Sequence, residues 1–194
     1  MRDYILGEIE TSRQVMQAMA KDNALISQLE ASVSACVTCL QSEGRILIAG
    51  NGGSAADAQH IAGELVSRFA FDRPGLPVLA LTTDTSVLTA IGNDDGYQYL
   101  FSRQLQAHGR KGDVFIAYST SGSSQNILLA LEEAKRLGII CIGLTGQREG
   151  PMADLCDFVL RTPSVVTPKI QEGHLVLGHI LCGLVEKALF QVPG

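Results

Sequence analysis

Apolar residues recur along this chain in two rhythms, and the change between them lays out its elements. Over the first 43 residues they fall at helical spacing. Ile5, Ile9, Val15, Met16 and Met19 mark a helix over 2–20, and Leu25, Ile26, Leu29, Val33, Val37 and Leu40 a second over 23–43. Asp22 or Asn23 offers an N-cap for the second helix and Gly44 a stop. Beyond Gly44, short continuous apolar runs alternate with helical patterns. The runs Arg45–Ala49, Val78–Leu81, Val114–Tyr118, Ile139–Leu144 and Phe158–Leu160 predict five buried strands.

Helical spacing resumes from Ala55, with Ile61, Leu65 and Val66. It returns in a short helix capped within Thr82–Ser86 that runs through Ile91, and Gly92–Gly96 is expected to break it. Further helices are predicted over 97–108, over 127–137 with Gly138 as stop, around Met152–Leu155, and in one long amphipathic stretch from about Pro168 to Phe190. Strands alternating with helices imply a parallel sheet covered on both faces. The expected fold is a three-layer α/β/α sandwich with a five-stranded parallel sheet and two additional N-terminal helices. It reads as one domain over 1–194, a helical pair (1–43) on an α/β core (44–194), with no repeat, low-complexity tract or linker. The leading helices need something to cover, and a partner subunit is the candidate.

Composition changes this picture little. The chain's 194 residues can bury roughly 70% of their unfolded surface, and 46% hydrophobic with 18% charged residues suits a compact core. A net charge of −5 gives no reason to expect nucleic acid. No apolar run approaches the ~20 residues of a membrane span. The start, Met1 to Glu8, has no long apolar segment, so no signal peptide is expected. Five cysteines, an odd number spread through apolar stretches, fit reduced thiols in the cytoplasm. Cys36 and Cys39 form a lone C-x-x-C. A zinc ribbon needs a second pair, so these two read as packing.

Candidate chemistry gathers where strands end. Gly50-Asn51-Gly52-Gly53-Ser54 follows the first strand and opens a helix, a place for an anion or a sugar oxygen because unpaired N–H groups point there. The run also satisfies G-x-G-x-x-A, but Asp72, at the spacing a dinucleotide site wants, lies in a Pro/Gly connector before the second strand. No Gly-Lys-Ser/Thr follows either loop, which excludes a Walker P-loop. Ser119-Thr120-Ser121-Gly122-Ser123-Ser124, after the third strand, offers five hydroxyls in six residues, more than a capping run requires and suited to a phosphomonoester. In open α/β sheets, ligands sit beyond the carboxyl ends of the strands, where both loops fall. His60 and Glu64, four apart, share one face of the helix that the glycine loop opens, as a surface pair or as an acid/base pair.

These stretches, with Ala58-Gln59-His60, Glu64-Leu65, Leu88 to Asp94 and Ile170-Gln171-Glu172-x-His174, resemble the sugar isomerase (SIS) domain family, and within it the phosphoheptose isomerases, over nearly the whole chain. The resemblance implies the SIS fold and conversion of sedoheptulose 7-phosphate to D-glycero-D-manno-heptose 7-phosphate for bacterial surface heptose (lipopolysaccharide core) synthesis. It implies a cytoplasmic homotetramer with one zinc per subunit. It assigns phosphate contacts to Ser119, Thr120, Ser121 and Ser124, and sugar contacts to Asn51, Gly52, Gly53, Glu64, Asn93, Asp94 and Gln171. His60, Glu64, Gln171 and His179 would hold zinc, with Glu64 and His179 also moving protons.

Asp95 stands where an aromatic is common in the family, and Lys169, where arginine is usual, would bring a charge near the phosphate. On an ideal helix Glu172 lines up with His179, whereas Gln171 lies about 80° off that line, so helical geometry favours Glu172 and the resemblance favours Gln171. His108 reads as a C-terminal cap and His174 as packing. Two other classes compete. A non-catalytic SIS protein, such as relatives that bind the replication initiator, would lack Glu64 and His179, and an oxidoreductase would bind nucleotide.

Overall fold

The computed structural model describes residues 1–190. Helices α1 (Arg2–Lys21) and α2 (Asn23–Gln41) form a hairpin whose corner is Asp22, which accepts the N–H groups of Ala24 and Leu25 at 3.0 Å. Gly44 closes α2 by donating its N–H to the Cys39 carbonyl, but the left-handed residue is Glu43, at φ 62°.

The core runs β1 (Ile46–Ala49), α3 (Gly53–Val66), β2 (Val78–Ala80), α4 (Thr85–Asp94), a 3-10 turn (Tyr97–Tyr99), α5 (Ser102–His108), β3 (Val114–Tyr118), α6 (Gln125–Leu137), β4 (Ile140–Thr145), α7 (Met152–Leu155), β5 (Phe158–Arg161) and α8 (Thr167–Leu189). Two expectations are corrected. Helix α4 runs through Gly92 to Asp94, because Gly92 packs beside Leu100 and the break falls at Gly96, at φ 100°. The helix expected over 97–108 divides into the 3-10 turn and α5.

All five strands are parallel, in the order β2-β1-β3-β4-β5. Alternate residues of each strand point to opposite faces, and the pattern divides the core. Ile46 and Ile48 of β1 join Ile61 and Leu65 of α3, Leu29 and Val33 of α2, and Leu177, Leu181 and Val185 of α8. Leu47 and Ala49 face the other way, with Leu105 of α5, Ile127 and Leu131 of α6 and Met152 of α7. The result is the expected three-layer sandwich.

The order of strands reverses between β1 and β3, so a crevice opens where their connections leave in opposite directions. The glycine loop leaves β1 and the serine loop leaves β3, and Ala49 pairs with Ala117 at their adjacent ends. Helix α1 is less covered. It buries only Val15 and Met19 and leaves Ile5 half exposed and Ile9 61% exposed.

Candidate active site

Two helices far apart in the sequence, α3 and α8, cross beside the glycine loop. On α3, one helical turn brings His60 Nε2 within 3.1 Å of Glu64 Oε1. On α8, His179 Nε2 lies 3.2 Å from His60 Nε2, and the ring centroids are 5.0 Å apart in an edge-on arrangement. One ligand atom from each of His60, Glu64 and His179 falls within 4.8 Å of the other two. Close helix crossing makes this possible, because Gly178 brings α8 against Ile61, where a Cβ would come 2.7 Å from Ile61 Cδ1.

Two imidazole nitrogens and a carboxylate oxygen converging without an intervening cation suit a divalent metal of zinc's kind. The two Nε2 atoms face one another, and only one of them can carry the hydrogen of a bond between them. A metal would resolve the crowding by accepting both lone pairs. The residues present therefore fit the implied ion. Half-buried Asp57, one turn before His60, has a buried Oδ2 without a partner, and desolvation raises its pKa while His60 opposes the shift.

Gln171 lies against the glycine loop, beside Gly53. A Cβ on Gly53 would overlap its Nε2, so only a glycine leaves the amide where it lies. Glu172 turns the other way. Its carboxylate bonds Lys169 at 3.1 Å, and the Lys169 ammonium also binds Ser12 Oγ at 2.8 Å and the Glu8 carboxylate at 3.1 Å. The Glu172 carboxylate is thus engaged with Lys169. The expectation for Lys169 is corrected too: its 6% exposed side chain ties α8 to α1 rather than offering a free charge to phosphate. Its pKa is raised, first by the bond to Glu172, against the opposing effect of burial.

Asn51, at the mouth of the crevice, is oriented by two residues not singled out from the sequence. Its amide exchanges two hydrogen bonds with Asn126 of α6, at 2.9 and 2.8 Å, and Tyr97 Oη donates to its Oδ1 at 2.9 Å. Asn126 stands two residues beyond the serine loop, and that position is its one signal. Gly52 takes φ 55° and ψ −121°, a conformation open to glycine, and is the N-cap of α3.

In the serine loop, Ser119 Oγ and Ser124 Oγ lie 3.1 Å apart, linking its two ends. Ser124 is the N-cap of α6 yet makes no capping bond with its side chain, which keeps its hydroxyl and the helix N-terminus available to an anion. Ser121 accepts from Ser123, and Thr120, Ser121 and Ser123 line a cavity of about 340 Å3 with Arg148 and Ile170.

Asn93 and Asp94 are not drawn in. They are exposed at the end of α4, where the Asn93 amide donates to Asp94 at 2.7 Å, and Asp94 borders a separate depression with Arg103. Asp95 pairs with Arg103 at 3.5 Å. His108 ends α5 as expected. His174 is fully buried, edge-on to Tyr118 and 3.2 Å from the Thr145 carbonyl, so it packs behind the serine loop. All five cysteines are free, and Cys36 and Cys39 lie in the core. No described helix is long and apolar enough to cross a membrane.

The sequence matches the SIS domain family over residues 9–146. It is 63% identical over 187 residues to a phosphoheptose isomerase of Burkholderia pseudomallei, covering 96% of this chain and 95% of that one. Its fold is similar to the structure of a phosphoheptose isomerase from Neisseria gonorrhoeae, with a TM-score of 0.89 and 38% identity over 96% of this chain and 98% of that one. It is likewise similar to one from Francisella tularensis, with a TM-score of 0.91 and 38% identity over 95% and 97% of the two chains.

Proposed function

The chain belongs to the phosphoheptose isomerases of the SIS domain family, and from that membership we propose that it converts sedoheptulose 7-phosphate to D-glycero-D-manno-heptose 7-phosphate. The observation that carries the reading is the meeting of His60, Glu64 and His179 beside a glycine loop and a hydroxyl-rich loop on adjacent strands. A non-catalytic SIS protein has no use for that convergence, and a nucleotide enzyme would want an acidic residue at the end of β2.

Ketose–aldose interconversion moves one proton between C1 and C2 and another between their oxygens. In this reading Glu64 takes the proton from C1 and returns it to C2, with an enediolate between, and His179 exchanges the oxygen proton. General acid–base catalysis of this kind contributes ~10²–10⁴-fold. Ser119, Thr120, Ser121 and Ser124 hold the remote phosphate, and binding energy spent there positions the reacting end. Asn51, Gly52, Gly53, Glu64 and Gln171 hold the sugar, joined by Asn93 and Asp94 on the family resemblance alone. His60, Glu64, Gln171 and His179 would hold one zinc ion per subunit, which when bound supplies Lewis-acid polarisation of the substrate oxygens.

The same reading makes residues 1–194 one SIS unit, with 1–43 as its helical pair. It makes the protein a cytoplasmic homotetramer serving surface heptose synthesis. The exposed Ile5 and Ile9 on α1, with Val176, Ile180 and Leu184 one turn apart along α8, support burial against further copies. The deciding experiment is NMR of sedoheptulose 7-phosphate incubated with the zinc-supplied protein. New aldose signals are expected, and folded protein that gives none would end the proposal.

A further inference from the structure

Away from the crevice, one ion pair is buried completely. Arg73, from the connector between α3 and β2, and Glu186, near the end of α8, have side chains 1% and 0% exposed and meet at 3.0 Å. Taking two charges out of water is costly unless every lone pair and N–H is used, and here nearly all are. Glu186 Oε1 accepts from Arg73 Nε and from the Phe69 N–H at 2.9 Å, and Oε2 accepts from the Ala70 N–H at 2.7 Å. These bonds and the guanidinium outweigh the burial that opposes its charge, so its carboxyl sits below the usual range. Arg73 donates to the carbonyls of Leu65, Ser67 and Glu64, at 2.6, 3.2 and 2.9 Å. These belong to the closing turn of α3, which carries no basic residue of its own and whose carbonyls lack helical partners.

The placement of these bonds is more telling than their number. Arg73 grips the backbone of Glu64 itself. Glu186 stands seven residues beyond His179, two turns along the same face of α8. Phe69, held by its N–H to Glu186, lays its ring against His179, with centroids 5.8 Å apart. Gly183 admits that ring, since a Cβ there would lie 3.1 Å from Phe69 Cε1. A charged crosslink thus joins the two helices that bear the ligand set and braces one imidazole.

We propose that Arg73 and Glu186 are positioning residues: through the Glu64 carbonyl and the Phe69 ring they fix the separation of Glu64 from His179 for metal binding and proton transfer. The inference rests on the reading of His60, Glu64 and His179 as the metal-binding and catalytic set. Groups that orient ligands typically cost 10–100-fold in metal affinity or activity when altered.

The test compares wild type with Glu186→Gln and Phe69→Leu. Zinc affinity is measured by competition with a chromophoric chelator, thermal unfolding with and without zinc, and kcat and KM for sedoheptulose 7-phosphate. Glu186→Gln is expected to weaken zinc binding and lower kcat by about 10-fold or more. Its KM should stay within about twofold, because the serine loop lies on other elements. The smaller Phe69→Leu change should act in the same direction, and it decides the matter if Glu186→Gln does not fold. A purely structural clamp would lower the melting temperature and leave zinc affinity and kcat of the folded protein alone, and that result overturns the proposal. If His179→Ala binds zinc as tightly as wild type, the reading of the site itself fails. Wild type that binds zinc and turns over, matched by both variants, overturns only the positioning role.

Discussion

The Nε2 atoms of His60 and His179 face each other at 3.2 Å, although 119 positions separate the two residues in sequence. Neither helix has a local reason to point its imidazole at the other, and the pair lies partly open to solvent rather than packed away. Such convergence suits a shared guest, and the variants should separate the roles of its members.

Glu64→Gln keeps the side-chain volume and removes the base. We expect kcat to fall by about 10²–10⁴-fold with KM little changed. His179→Ala should also lower kcat and should strip zinc, as metal analysis of the purified variants would record. Zinc retained by Glu64→Gln with turnover lost marks a proton carrier, and zinc lost marks a ligand. A Glu64→Gln enzyme with near-normal kcat removes Glu64 from the mechanism.

Ser124 offers a cleaner test of the phosphate loop than most caps would. Its hydroxyl makes no capping bond and touches only Ser119, so Ser124→Ala leaves α6 intact. A lost bond to a charged phosphate is worth roughly 1.5–3 kcal/mol, which is about 10- to 150-fold in kcat/KM. Steady-state kinetics reads it directly, and an unchanged kcat/KM would place the phosphate elsewhere.

Strands were legible because burial on both faces leaves apolar runs with nothing else to be. Val114–Tyr118 was read end to end, and the loops that follow β1 and β3 announced themselves by glycine and hydroxyl density. Glycines argue against helix, so the sequence pattern starts α3 at Ala55, yet Gly53 and Ser54 already belong to it. Gly92-Asn93-Asp94 looked like a break for the same reason, and packing against Leu100 overrode it.

The His60–Glu64 pair follows from helical spacing alone. Its meeting with His179 depends on how α3 and α8 cross, which no local pattern encodes, so only the family resemblance brought His179 forward. Glu172 shows what wheel arithmetic omits, the partners that a side chain finds around it. It has the right angle, but Lys169 one turn back holds it toward α1. Arg73 and Glu186 carried no signal, because a connector arginine and a helix glutamate look like surface residues until the tertiary fold encloses both.

Buried His174 gives the fold a pH dependence of its own. Burial lowers its pKa to about 4, only partly offset by the Thr145 carbonyl, against 6.5 for the free side chain. Between those values the unfolded chain binds a proton that the fold excludes, so stability is complete above about pH 6.5 and declines as pH falls toward 4. The full difference is roughly 3 kcal/mol at 1.36 kcal/mol per pH unit. Glu172 and Glu186, whose folded carboxyls are lowered, lose their contribution only as pH falls through the carboxylate range. Urea unfolding at pH 7.5 and 5.5 should therefore show a loss in wild type that shrinks in His174→Gln. Equal slopes would mean that His174 is protonated in the fold.

Gly52 and Gly53 are neighbours with opposite reasons to be glycine, and alanine at each should fail differently. Gly52 has φ 55° and ψ −121° with nothing within 4 Å of a Cβ. Alanine there strains the backbone by about 1–3 kcal/mol and crowds no neighbour. At roughly 2–4 °C per kcal/mol for a chain of this size, Gly52→Ala should melt measurably earlier. Gly53 has ordinary helical geometry, but its Cβ would overlap the Gln171 amide. That amide is the free end of a flexible side chain and can swing aside at little cost to the fold. Gly53→Ala should therefore keep its melting temperature within a degree or two, yet lose zinc affinity and kcat, because Gln171 is the group displaced. Gln171→Ala should reproduce the defect, and Gly53→Ala should add little to it. Thermal scans and a zinc titration on the three single variants and the Gly53→Ala/Gln171→Ala pair settle the point. Full zinc affinity in Gly53→Ala would show that Gln171 rests on the loop without serving the metal.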